Sequence, residues 1–121
     1  MVGRSGIVWL LGMLAASCYY DNEAKLYPGT YCTPVVNPTF NTDVLPLLNA
    51  KCNSCHAGAS PSGGIKLDSF AEVSKYVSNG KLLGSIKQTS GFSAMPKNAG
   101  KMPACQISVI EDWINAGGTN N

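Results

Sequence analysis

The chain has 121 residues, nine Lys+Arg against seven Asp+Glu for a formal charge of +2, and 45% hydrophobic side chains. That is enough for one small domain, and its scattered lysines form no basic run of the kind that holds nucleic acid. Five cysteines and a single histidine are the side chains whose chemistry most needs explaining.

Residues 1–17 read as an export signal of the lipoprotein type. Arg4 supplies a positive start, and residues 7–16 form a short apolar run with Trp9, Leu10, Leu11 and Leu14. The run is too short for a transmembrane helix. Ala15-Ala16-Ser17 then precede Cys18. Small residues followed by cysteine resemble a bacterial lipobox, in which the cysteine becomes the diacylated first residue. The leucine usual in that motif is Ala15 here, with Leu14 one step further out. Ordinary signal-peptidase cleavage at the same place is the alternative. The lipoprotein reading is preferred because it gives Cys18 a use. Either way the protein is exported, to the periplasm or cell envelope, and on the preferred reading it is anchored to a membrane by lipid. Residues 18–40 carry Pro28-Gly29, Pro34 and Asn37-Pro38 and read as a polar tether or plain linker.

A first helix is predicted over 42–56. Asn41 or Thr42 caps it, Asp43 suits its positive end, and Pro46 falls in the first turn. Val44, Leu47, Leu48, Cys52 and Cys55 form its apolar stripe. It ends on Cys52-Asn53-Ser54-Cys55-His56, which reads C-x-x-C-H, the attachment signature of c-type haem. The spacing lets each thiol form a thioether with one porphyrin vinyl group, and puts the adjacent imidazole under the iron as its proximal ligand. A structural zinc site would need about four Cys or His ligands in two pairs. A thioredoxin-like pair would need a βαβ context that the sequence does not suggest. The motif occurs once, so one haem c is expected.

A loop follows over 57–67, in which a backbone carbonyl would accept the Nδ1 proton of His56 and fix its tautomer. A second helix begins near Ser69, where Ser69-Phe70-Ala71-Glu72 fits a capping box. It turns Phe70, Val73 and Val77 inward and stops near Asn79-Gly80. A short helix over 81–87 carries Leu82, Leu83 and Ile86. The next loop, Gly91-Phe92-Ser93-Ala94-Met95-Pro96-Lys97, offers the Met95 thioether as the distal iron ligand. Met102, also followed by proline, competes for that role. Met95 is preferred because Met102 lies close to a cross-link expected at Cys105. The last helix covers 106–116, with Ile107, Ile110, Trp113 and Ile114 on its apolar face and Gly117-Gly118 as its stop.

Lipid on Cys18 and haem on Cys52 and Cys55 leave Cys32 and Cys105. In an oxidising compartment their natural state is a disulfide, worth roughly 4 kcal/mol in the chain-entropy account. Two free thiols are the alternative.

These features together resemble class I c-type cytochromes. More narrowly, residues 40–118 resemble the small mono-haem cytochrome c domains of exported lipoproteins in Bacteroidetes. The resemblance rests on C-x-x-C-H followed by a Gly/Ser/Pro loop, and on Gly91-Phe92-Ser93-x-Met95-Pro96. It departs at Ala57, where many relatives have glycine. It implies an all-α cytochrome c fold of about four short helices over 41–121, with His56 proximal and Met95 distal. A His/Met pair closes the iron and suits electron transfer rather than catalysis. The chain therefore reads as a membrane-anchored electron carrier, not an enzyme, working with redox partner proteins. A five-coordinate haem sensor or peroxidase-like enzyme stays open, although no arginine follows Arg4 to serve a distal pocket. So does a fixed relay subunit of a larger complex.

Overall fold

The computed structural model describes residues 33–121. The expectations placed on residues 1–32, among them the export signal, the lipid on Cys18 and the role of Cys32, lie outside the described residues. The described residues form four α-helices and no strand. Helix α1 is Leu45–Lys51, entered through a π-helical turn at Phe40–Val44. Helices α2 (Phe70–Ser78), α3 (Lys81–Ile86) and α4 (Ala104–Asn115) follow, with a 3-10 turn at Ser62–Gly64 in the connection after α1. None of these helices is long and apolar enough to cross a membrane.

The first helix starts earlier than its caps suggest. Thr39 is the N-cap, its hydroxyl accepting from the Thr42 N–H, while the Asp43 carboxylate accepts from the Thr39 N–H at 2.8 Å. This reciprocal pairing satisfies donors that a helix end leaves orphaned. The widened turn that follows bonds the Val44 N–H to the Thr39 carbonyl and the Leu45 N–H to that of Phe40. It ends where Pro46 has no N–H to give, so the shift to α-helical pairing forfeits no bond there. A seven-residue helix is marginal alone. Phe40, Val44 and Leu48 hold it in place by being wholly buried, each worth about 1.5–3 kcal/mol.

Helix α2 occupies its predicted span, but the capping box does not form. Ser69 takes the extended cap conformation without a side-chain bond, and Glu72 instead pairs with Lys75 at 2.9 Å. Gly80, at φ +73°, makes the left-handed step that ends α2 and begins α3. Helix α4 starts at Ala104, two residues before the predicted start, and buries Ile107, Val109, Ile110 and Trp113. Trp113 is the hub of the core. Its ring lies 5.4 Å from Phe40 and 6.4 Å from Phe70, which itself meets Phe40 edge-on at 5.2 Å. Its indole N–H donates to the Thr119 carbonyl at 2.9 Å, so the burial leaves no donor unpaired. Asn121 returns to the first turn, where its side-chain and backbone oxygens accept from the Phe40 and Asn41 N–H groups, both at 2.9 Å.

Candidate cofactor-attachment site

The C-x-x-C-H motif does not lie inside the helix. Helix α1 stops at Lys51, and Cys52 is its C-cap with φ −125° and ψ −40°. The Cys52 and Asn53 N–H groups both donate to the Leu48 carbonyl, at 2.8 and 2.9 Å. The register slips there by one residue. A separate turn then begins, in which the Cys55 and His56 N–H groups donate to the Cys52 carbonyl at 3.1 and 2.9 Å. At the slip the Asn53 side chain is held by two bonds. Its amide nitrogen donates back to Asn49 Oδ1 at 2.7 Å and across to the Leu67 carbonyl at 3.1 Å. The expected helix over 42–56 is thus a helix to residue 51 followed by a tight turn carrying both thiols and the imidazole.

Both cysteines of the motif are free thiols in unlike settings. Cys55 is exposed, whereas Cys52 is half-buried against the core. That burial pushes the Cys52 thiol up to about 11, because a thiolate there would lose its hydration.

His56 is half-buried, and its Nδ1 lies 3.1 Å from the Ile65 carbonyl. A carbonyl only accepts, so the contact assigns the proton to Nδ1 and leaves the lone pair on Nε2. This is the loop carbonyl that the sequence calls for without identifying. The loop that brings it back is bonded to the motif on both sides. The Ser62 N–H donates to the Cys55 carbonyl and the Leu67 N–H to the His56 carbonyl, each at 2.8 Å. Leu67 sinks into the core, and the Asp68 carboxylate accepts from the Gly58 N–H at 3.4 Å.

Met95 sits on the loop after α3, half-buried, with its N–H donating to the Ser85 carbonyl at 3.1 Å. Phe92, three residues earlier, lies over bare backbone. A Cβ added to Gly84 would fall 2.6 Å from its ring. Met102 is buried in the core cluster and, with Ala104 and Ile107, lines a groove beside the Lys87–Glu111 ion pair. Cys105, in the first turn of α4, is disulfide-bonded, and its partner lies outside the described residues. No group of three or more His, Cys, Asp or Glu side chains gathers among the described residues to hold a metal ion.

The structure thus brings Cys52, Cys55 and His56 together on one turn and sets Met95 on a separate loop. Sequence reasoning missed Asn53 and the Ser85 carbonyl. Asn53 carried a signal, since Asn49 and Asn53 are spaced to meet on one helical face. The Ser85 carbonyl, a backbone group, carried none. Compared with known protein families, with curated proteins and with solved structures, the chain matches none of them.

Proposed function

We propose that this chain is a one-haem c-type electron carrier of the cell envelope, anchored by lipid on Cys18 and exchanging single electrons with redox partner proteins. The observation that carries the reading is the His56 ring, tethered at Nδ1 to the Ile65 carbonyl on the turn that also bears two free thiols. A metal-binding imidazole needs its other nitrogen held by an acceptor, and that second-sphere bond is built into the loop. The donor types suit haem c: Cys52 and Cys55 would form the two thioethers, and His56 Nε2 and the Met95 sulfur would hold the iron. Bound there, haem supplies one-electron chemistry at iron, and a His/Met pair sets its potential high.

The chain's own residues hold, orient and screen. Thioethers at Cys52 and Cys55 would make the attachment permanent outside the cytoplasm. The Ile65 carbonyl keeps a lone pair on Nε2. The Met95–Ser85 backbone bond anchors the loop that offers sulfur, whereas Met102 is already committed to core packing. The reading of residues 1–17 as an export signal supports a place outside the cytoplasm, where thioether attachment and the Cys105 disulfide are both at home.

The test is an absorption spectrum of the matured protein, oxidised and reduced. The oxidised form should show the weak near-infrared band of a sulfur–iron(III) bond, lost in Met95→Ala and kept in Met102→Ala. A high-spin spectrum with ready carbon monoxide binding would replace the carrier by a sensor or peroxidase-like enzyme. Failure to attach haem at all would remove the reading.

A further inference from the structure

We propose that Asn53, the first residue between the two cysteines, is a positioning residue that keeps the His56 imidazole in its Nδ1–H form. The inference rests on the function above only for the use made of Nε2, because the tautomer is a property of the chain itself.

The imidazole is fixed by the Ile65 carbonyl, so whatever fixes residues 65–67 fixes the ring. The Leu67 peptide is clamped from both sides by the motif turn. Its N–H donates to the His56 carbonyl at 2.8 Å, and its carbonyl accepts from the Asn53 amide nitrogen at 3.1 Å. The Asn53 bond is the only one in this clamp made by a side chain, so it is the one a substitution can remove. Little else polar holds the segment. Its remaining ties are the Ile65 N–H to the Ser62 carbonyl at 3.2 Å and, at its end, a part-exposed Lys66–Asp68 pair at 3.6 Å. The Asp68 carboxylate also accepts from the Gly58 N–H at 3.4 Å, and such contacts contribute little.

The orientation of the Asn53 side chain is not free. The Leu67 carbonyl can only accept, so the amide nitrogen must face it. That choice leaves Asn53 Oδ1 buried with no partner among the described residues. An unpaired buried acceptor is a cost. It is tolerated here because the nitrogen makes two bonds at once, to Leu67 and to Asn49 one turn back. An apolar residue at this position could fill the same space without that cost, but could not hold the Leu67 carbonyl. With that carbonyl released, the Ile65 carbonyl loses its fixed place over Nδ1, and the ring returns toward the tautomer mixture of a free imidazole. More of the rings would then present an N–H, rather than a lone pair, where iron is to bind.

The experiment is nitrogen-15 NMR of the His56 ring in the full chain without haem, at about pH 8.5, where an ordinary imidazole is neutral. The unaltered chain should show a protonated Nδ1 and a bare Nε2. In Asn53→Ala the ratio of Nδ1–H to Nε2–H should fall by roughly two- to tenfold, the range set by one hydrogen bond. Val77→Ala, which thins the core away from this turn, should destabilise the chain and leave the ratio unchanged. A folded Asn53→Ala chain with the original ratio overturns the proposal. Should that variant not fold, hydrogen exchange in the unaltered chain decides. One opening event should release the Asn53 amide protons and the His56 Nδ1 proton together, and a much faster Nδ1 proton would overturn the inference. Absence of haem in the matured protein would sink the function above without touching this result.

Discussion

The two loops that carry the proposed iron ligands are built on opposite plans. The His56 loop is bonded to its own motif in both directions. Ser62 and Leu67 donate to motif carbonyls, Asn53 donates into the loop, the Ile65 carbonyl closes on the ring, and the Leu67 side chain is buried. The Met95 loop is bonded mainly where it leaves α3, through the Thr89 N–H to the Gly84 carbonyl at 2.9 Å and the Phe92 N–H to the Thr89 carbonyl at 3.2 Å. The Phe92 ring rests on a glycine, and the Met95 N–H is tied to Ser85 at 3.1 Å. Around and beyond Met95 the remaining ties, Gln88 Nε2 to the Met95 carbonyl at 3.5 Å and the Ala99 N–H to the Pro96 carbonyl at 3.4 Å, lie at the long edge of hydrogen bonding. Where bonds and buried side chains are few, a segment opens at low cost. On the proposed function the firmly held imidazole and the more loosely held thioether would be the two side chains that hold the iron.

The comparison can be broken most sharply at Leu67. Truncating a buried leucine costs about 2–5 kcal/mol, and Leu67→Ala should lose that much in a denaturant titration of the haem-free chain. Met95→Ala, on the loosely tied loop, should lose less than about 1 kcal/mol in the same titration. Equal losses would level the two loops.

A smaller effect separates the two thiols. The folded-state value of Cys52 is raised by burial from 9.0 to about 11, so the unfolded chain ionises first. Below about 9 the thiol is neutral in both states and stability is independent of pH on its account. As pH rises from there toward 11, the unfolded chain gives up a proton that the folded chain keeps, and stability falls. The unfolding midpoint of the haem-free chain should therefore drop with alkali, and Cys52→Ala should drop less. Parallel slopes in the two chains would show that the buried thiol does not matter.

The smallest effect is expected at Gly84. An alanine there gains about 1 kcal/mol of helix propensity, while its Cβ would stand 2.6 Å from the Phe92 ring. Forcing atoms into packed space costs about 1–3 kcal/mol, but Phe92 is already 39% exposed and can swing away. The two terms nearly cancel. Gly84→Ala should thus change global stability by less than about 1 kcal/mol and speed hydrogen exchange at the Met95 N–H, leaving Leu67 as protected as before. Unchanged exchange at Met95 would remove Phe92 from the account of what holds that loop.

Much of this was legible in the residues. Apolar spacing placed the helices, because Phe70, Val73 and Val77, or Ile107, Ile110 and Trp113, can meet a core only as helical faces. The motif named its own thiols and imidazole. Termini and partners were harder. Thr39 caps the first helix although Asn41 and Thr42 read equally well, since several neighbouring side chains can cap and tertiary context selects one. Ser69 and Glu72 match a capping box, yet Glu72 finds Lys75 on the surface instead. The early end of α1 at Lys51 had no signal in the residues, and Asn53 reads as a solvent-facing spacer although one of its acceptors is 14 residues away. A loop carbonyl for His56 could be expected from chemistry, but only the folded loop could say that it is Ile65.

One further consequence comes from the clamp between Asn121 and the first turn. Its bonds join residues 80 and 81 positions apart, so the Phe40 and Asn41 N–H groups have these partners only once Asn121 has been made and has docked. During vectorial synthesis the start of the first helix therefore waits on residue 121 to arrive, as long-range contacts generally do. The thiols of Cys52 and Cys55, a few residues beyond that unfinished turn, emerge well before the domain can close around them. Any machinery that modifies them meets a chain still being assembled.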